Sequence, residues 1–232
     1  MRESFDRDWR NEESYRGANS NMHSTEAFLA LADVTGDARW LDRALSIVER
    51  VIHQHAAGNN HQVIEHFTLQ WQPMLDYNVD KPDDGFRPYG TTPGHAFEWA
   101  RLVLHLEAAR RKAGLETPAW LLEDARGLFE NACRYGWDVD GAPGIVYTLD
   151  WENSPVVRHR LHWTHAEAAA ASAALLQRTH EQQYEDWYRT FWEFSETMFI
   201  DYENGSWRHE LNPQNQPSAD IWAGKPDLYH AY

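Results

Sequence analysis

The sequence predicts an all-α fold of paired helices stacked about an axis, and three observations predict it. Six long amphipathic runs come in pairs joined by tight turns. Gly, Pro and Asn collect in the segments between the pairs, and one acidic position recurs at a near-constant interval. Units of this kind each leave an apolar face uncovered, and they bury it by stacking on their neighbours.

The elements follow in chain order. "NMHSTEAFLALADVTG" (21–36) has helical periodicity and ends at Gly36, a residue type that accepts the left-handed conformation closing a helix. "DARWLDRALSIVERVIHQHAAG" (37–58) returns beside it. Pro93 opens "TPGHAFEWARLVLHLEAARRKAG" (92–114), because a helix start has no use for the N–H that proline lacks. Pro118 opens its partner, "PAWLLEDARGLFENACRYGWD" (118–138), and "WTHAEAAAASAALLQRTH" (163–180) with "EQQYEDWYRTFWEFSETMFID" (181–201) makes the third pair. Loops this short join antiparallel helices.

Three intervening segments predict short β-ribbons: "NNHQVIEHFTLQWQPMLDYN" (59–78), "GIVYTLDWENSPVVRHRLHW" (144–163) turning at Asn153-Ser154, and "DYENGSWRHELNPQNQP" (201–217) turning at Asn204-Gly205. None resembles a linker, so residues 1–232 read as a single domain.

The formal charge of −15, from 36 acidic and 21 basic residues, argues against nucleic acid or an anionic membrane as partner, since both reward clustered Lys and Arg. A single cysteine, Cys133, allows no internal disulfide and suits a reducing compartment. No apolar stretch approaches the roughly 18 residues that span a bilayer. The charged opening "MRESFDRDWRNEESYRG" predicts no secretory leader, so a cytoplasmic location is expected. The 12 Trp, 10 Tyr and 9 Phe are either core filling or flat faces for the C–H side of a sugar ring.

Glu26, Glu98 and Glu167 each lie in the first turns of a leading helix, 72 and 69 residues apart. His23 and His95 stand three residues before the first two, on the same helix face, while Thr164 and His165 precede the third. Stacked hairpins collect their leading helix starts at one end. His23, His95 and the His230 of "DLYHAY" are therefore expected to meet these carboxylates near one rim. A fourth unit is expected to begin near residue 230, where the chain stops without a cap.

Imidazole exchanges protons near neutral pH, and a carboxylate beside it fixes its tautomer. Two such groups around a sugar can remove and return a proton next to a carbonyl. The rival readings are a packed, hydrogen-bonded core histidine at each position, a Glu26 that only supports its helix start, and a metal site. His-x-x-Glu can seat two ligands, but di-metal bundles use the reverse order, and neither HExxH nor CxxC occurs; no metal is expected. Phosphate loops, serine elbows and dinucleotide fingerprints are missing too.

"YRGANSNMHSTEAF", "TTPGHAFEWARL", "PAWLLEDARGLF", "GIVYTLDWE", "DYENGSW" and "DLYH", in order and nearly end to end, resemble the N-acylglucosamine 2-epimerase superfamily. The likeness is greatest to its aldose–ketose isomerase branch, the mannose and sulfoquinovose isomerases. The resemblance implies an (α/α)6 barrel, or toroid, and a cytoplasmic monosaccharide isomerase without metal or cofactor. Family members carry further helices ahead of "ESFD" and a closing helix after "DLYH". The chain is thus expected to be truncated at both ends, an incomplete barrel of about three to four helix hairpins.

Carried over by motif, His95 and His230 are the implied catalytic acid–base pair, with His230 moving a proton between C2 and C1 through a cis-enediol and His95 serving the oxygens. Glu98 and Glu167 are implied to orient a histidine or a hydroxyl. Asn19 and His23 match substrate contacts, and Arg87 and Trp163 are candidate wall residues. Sulfosugar-specific members have glutamines where this chain has His209 and Pro226, which favours D-mannose or D-lyxose with D-fructose-type ketoses as products. "HWTHAEAAAAS" departs from the branch's usual wording ahead of Glu167. The alternatives are a sugar 2-epimerase, a sulfoquinovose isomerase, and an inactive helical repeat that at most holds a sugar or a protein.

Overall fold

Gly36 adopts φ 68° and returns its N–H to the Ala32 carbonyl, so α1 (Ala18–Thr35) stops where the sequence predicts and the chain reverses into α2 (Arg39–Val48). The computed structural model describes residues 1–226 and 229–230. Beyond α2 the helix runs on through wider, π-type turns at Glu49–Ala56 and a tight turn at Ala57–Asn59. The next pair is α3 (Pro93–Lys112), with Pro93 in its first turn, and α4 (Trp120–Gly136). The third is α5 (His162–Thr179) and α6 (Gln182–Phe194), the latter extended by a π-type turn at Ser195–Phe199. Among the described residues the hairpins number three, and none of the helices is long and apolar enough to cross a membrane.

The packing separates inner from outer helices. α3 packs against α1, α4 and α5, while α2, α4 and α6 each pair with the inner helix that precedes them. The sequences reflect this. α3 buries residues around most of its circumference, Glu98 and Glu107 included, whereas α4 buries a stripe that includes Leu121, Ala125, Leu128, Phe129 and Ala132. Phe97 of α3 meets Phe129 of α4 at 5.3 Å and Phe191 of α6 at 5.5 Å, both edge-on, tying two hairpins through one seam. Burial of each such ring stabilises the fold by about 2–3 kcal/mol.

The extended segments feed the inner helices. β1 (Arg16–Gly17) leads into α1 and pairs antiparallel with β2 (His66–Phe67). This corrects the expectation of a ribbon closed within 59–78, where only the Phe67–Pro73 bridge is internal. The chain just ahead of α1 supplies the partner, and Ala18 N–H adds a bond to the Glu65 carbonyl. β3 (Thr148–Leu149) and β4 (Pro155–Val157) form the expected hairpin around Asn153, whose φ is 64°. Gly90 (φ 89°) brings the chain against Leu149, where a Cβ would sit 2.0 Å from the carbonyl oxygen, and the Thr91–Leu149 bridge then leads into α3. β5 (Arg160–Leu161) leads into α5 and pairs with β6 (Glu210–Leu211), which pairs with β7 (Pro217–Ser218). The Asn204-Gly205 turn is present beneath an Ile200–Trp207 bridge, but the three-stranded sheet is not foreseen by the sequence pattern. All three inner helices therefore begin at one rim, each held there by extended chain.

Candidate active site

Pro93-Gly94 does two jobs at that rim. Proline starts α3, and glycine lets the start of α5 close on it, since a Cβ on Gly94 would lie 2.6 Å from both Trp163 and Thr164. The His95 ring consequently sits 5.2 Å from the Trp163 indole, and the His230 ring sits 5.4 Å from the same indole. They border a cavity of about 350 Å³, at the small end of small-molecule sites.

Both imidazoles are oriented by carboxylates. His95 Nδ1 lies 2.9 Å from Oε1 of buried Glu65, and His230 Nδ1 lies 3.0 Å from Oε1 of Glu167. An ionised carboxylate only accepts, so each Nδ1 carries the proton and each Nε2 is the nitrogen available to the cavity.

The three recurring acids converge but differ in state. Glu98 is fully buried at the cavity wall, and its two carboxyl oxygens accept no hydrogen bond among the described residues. Burial, reinforced by the charge of Glu167, raises its pKa well above the usual carboxylate range and favours the neutral acid. At Glu167 burial pulls the same way, but the His230 hydrogen bond and Arg101 together outweigh it and hold the group low. Arg101 grips Glu167 through Nε at 2.8 Å and Nη2 at 3.1 Å and reaches Glu26 at 3.6 Å. Glu26 is pushed down to about 2, first by His23, with Tyr229 and Arg101 adding to the effect against burial. Carboxyl groups whose environments drive them apart can act as donor and acceptor at one pH.

His23, Glu26 and Glu98 form one trio with ligand atoms within 4.8 Å of one another, and Glu98, Glu167 and His230 form another. Either set has the donor chemistry to hold a cation.

Asn19, His23, His95, Glu98, Trp163 and His230 line the cavity, and Glu167 stands behind His230. Glu98 approaches His23, at 3.6 Å; the carboxylate that holds His95 is Glu65. Arg87, the expected wall residue, is not among the residues lining this cavity. Glu13 binds its guanidinium at 2.7 and 3.0 Å, Glu3 lies at 3.4 Å, and the group sits 3.9 Å over the Tyr15 ring. Its neighbours Gly85 and Phe86 line the cavity instead. Of the "DLYH" motif, Asp227 and Leu228 lie outside the described residues.

Sequence reasoning missed Glu65, Arg101, Tyr147, His162 and Trp222. Arg101 was the most accessible, three residues after Glu98 on one helix face. Glu65 had a fainter signal, an acid inside the apolar run Val63–Phe67. Trp222 had none, because its position depends on a sheet the pattern does not reveal.

The sequence matches the family model described as N-acylglucosamine 2-epimerase (GlcNAc 2-epimerase) over residues 1–232. It is 82% identical to a D-mannose isomerase of Pseudomonas cannabina pv. alisalensis, over all of this chain and 56% of that protein. It is 52% identical to a D-mannose isomerase of Thermobifida fusca, again over all of this chain and 56% of that one. A crystal structure of D-mannose isomerase superposes with a TM-score of 0.88 at 33% identity, over 98% of this chain and 57% of the other. A cellobiose 2-epimerase from Spirochaeta thermophila DSM 6192 shares the fold, with a TM-score of 0.78 at 21% identity. The chain thus spans little more than half the length of the relatives it matches.

Proposed function

The chain belongs to the N-acylglucosamine 2-epimerase family, and we propose that its cavity performs aldose–ketose isomerisation, converting D-mannose or a D-lyxose-type aldose to the ketose, D-fructose for mannose. The three hairpins are then part of one (α/α)6-barrel domain working in the cytoplasm on free monosaccharides. The observation that carries this reading is the pairing of two carboxylate-held imidazoles across one indole over one cavity.

In this scheme the open-chain sugar lies along Trp163 with C1 and C2 between the rings. Nε2 of His230 takes the proton from C2. The electron pair left behind forms the C1–C2 double bond, and the carbonyl oxygen on C1 receives the Nε2 proton of His95, which enters this step doubly protonated with Glu65 as its counter-ion, giving a cis-enediol. His230 then delivers its proton to C1 while the hydroxyl on C2 returns one to Nε2 of His95, leaving the C2 carbonyl and restoring both rings to their starting protonation. Ionised Glu167, steadied by Arg101, stabilises the imidazolium that His230 becomes. Glu98 in its acid form donates a hydrogen bond to a sugar hydroxyl. The scheme uses protein groups alone.

Incubation with D-mannose in deuterium oxide tests the reading. D-fructose carrying deuterium at C1 is the expected product. A second aldose as the product would assign the site to 2-epimerisation, and neither product nor label exchange would remove both.

A further inference from the structure

Beyond the rings that move protons, we propose that Glu210 is a positioning residue for the sugar, and that its carboxylate sets Trp222 as the aromatic wall of the cavity. The proposal rests on the isomerase reading of that cavity.

Glu210 lies on the central strand β6 and is 1% exposed. A buried carboxylate is costly unless donors surround it, and here they do. Oε1 accepts from the Ser218 hydroxyl and, at 3.0 Å, from the Asp220 N–H. Oε2 accepts from the Ile221 N–H at 2.9 Å and the Trp222 N–H at 2.8 Å. Three successive backbone N–H groups converge on one anion, a nest closed by a side chain from the same sheet. His159 and Asp220 stand close enough for the three to be considered as metal ligands. The four acceptor positions of Glu210 are already taken by donors, however, so its role is to gather residues 218–222.

What those residues deliver is an indole. Trp222 lines the cavity, stacks on His209 with ring centres 5.6 Å apart, and meets the Phe86 ring edge-on at 5.0 Å. A Cβ on Gly85 would come within 2.8 Å of the indole, so the facing loop is fitted to it. The segment carrying Trp222 has no helix of its own to hold it; its further side-chain ties include Asp220 to His159 at 3.0 Å and Lys225 to Asp201 at 2.5 Å, and neither touches Trp222 itself. Glu210 is therefore the group that converts the β6–β7 register into a defined indole position. An indole face packs on the C–H side of a pyranose, which improves binding without taking part in proton transfer.

Glu210→Gln keeps the size and loses the chemistry, because whichever way the amide turns, its NH2 faces two of the four donors. The KM for D-mannose is expected to rise about tenfold with kcat within about twofold. Glu210→Gln combined with Trp222→Ala is expected to be no worse than Trp222→Ala alone, since the first acts through the second. In protein labelled with 5-fluorotryptophan, the Trp222 resonance, assigned by its loss in Trp222→Phe, is expected to shift or broaden in Glu210→Gln before any sugar is added. Equal loss of kcat and kcat/KM, additive effects in the double variant, or an unmoved Trp222 resonance would overturn the proposal. If Glu210→Gln does not fold, Ser218→Ala removes one donor and is expected to raise KM about twofold at constant kcat; an unchanged KM there overturns it equally. A wild-type protein that neither converts mannose nor responds to it in the fluorine spectrum defeats the isomerase reading, while the sugar-free resonance still judges Glu210.

Discussion

His95 and His165 stand near the starts of neighbouring inner helices, two residues beyond Pro93 and three beyond His162, and they have opposite fates. His95 ties Nδ1 to Glu65 and keeps Nε2 for the cavity. His165 is completely buried, lies parallel to Phe194 at 4.9 Å, and uses both nitrogens on the main chain. Its Nδ1–H donates to the Leu161 carbonyl at 2.9 Å, and its Nε2 accepts the Ile145 N–H at 2.9 Å. Burial pushes its pKa down to about 3. A histidine near a recurring acid therefore need not face the cavity. What matters is whether local hydrogen bonds leave a nitrogen facing the cavity.

The comparison breaks most visibly at His95. His95→Gln, and likewise His230→Gln, is expected to lower kcat on D-mannose by about a thousandfold or more while the far-ultraviolet circular dichroism and melting temperature stay near wild type. Full activity in both variants would erase the distinction between the two kinds of histidine. Glu65→Gln asks the same question one bond further out. Its amide carries no charge, so the doubly protonated His95 ring that donates to the C1 oxygen loses its counter-ion. A fall in kcat of about a hundredfold is expected, as is usual when an orienting carboxylate becomes an amide. A variant with wild-type kcat would show that His95 needs no such partner.

Much of this was legible in the sequence because it depends on local chemistry. Gly36 and Pro93 mark helix ends through their own backbone preferences, and Glu26, Glu98 and Glu167 mark a rim because equivalent positions on stacked hairpins point the same way. The α3–α4 pair is long and strongly periodic, and it stands where the spacing predicts. The illegible parts depend on partners distant in sequence. Arg87 is drawn away from the cavity by Glu3 and Glu13, and no spacing rule connects residue 87 with residue 13. β2 pairs with residues some fifty positions earlier, at Arg16–Gly17. Trp163 was distinguishable from core tryptophans such as the buried Trp99 only by the resemblance, since composition treats all aromatic residues alike. Glu65 shows the limit most clearly: the group that orients His95 lies 30 residues away, just ahead of β2.

The smallest effect is expected at the buried histidine, and it falls on stability instead of turnover. His165→Leu fills the site but leaves the Ile145 N–H buried without its acceptor, while the Leu161 carbonyl keeps the Thr164 hydroxyl. The cost is about 2 kcal/mol at neutral pH, with kcat/KM of the folded protein unchanged. The pH dependence then identifies the cause. The folded pKa of about 3 lies below the ordinary 6.5, so between these values the unfolded chain binds the extra proton. The wild-type contribution is fully present above pH 6.5 and is lost as pH falls towards 3, at about 1.4 kcal/mol per pH unit. The leucine variant lacks this titration, and other groups cancel between the two proteins. Urea unfolding is therefore expected to show the wild type ahead at pH 7 and the two equal near about pH 5, with the variant ahead below that. A constant gap from pH 7 to 4.5 would mean that His165 is not held neutral by burial. The contrast with His95 would then rest on exposure alone.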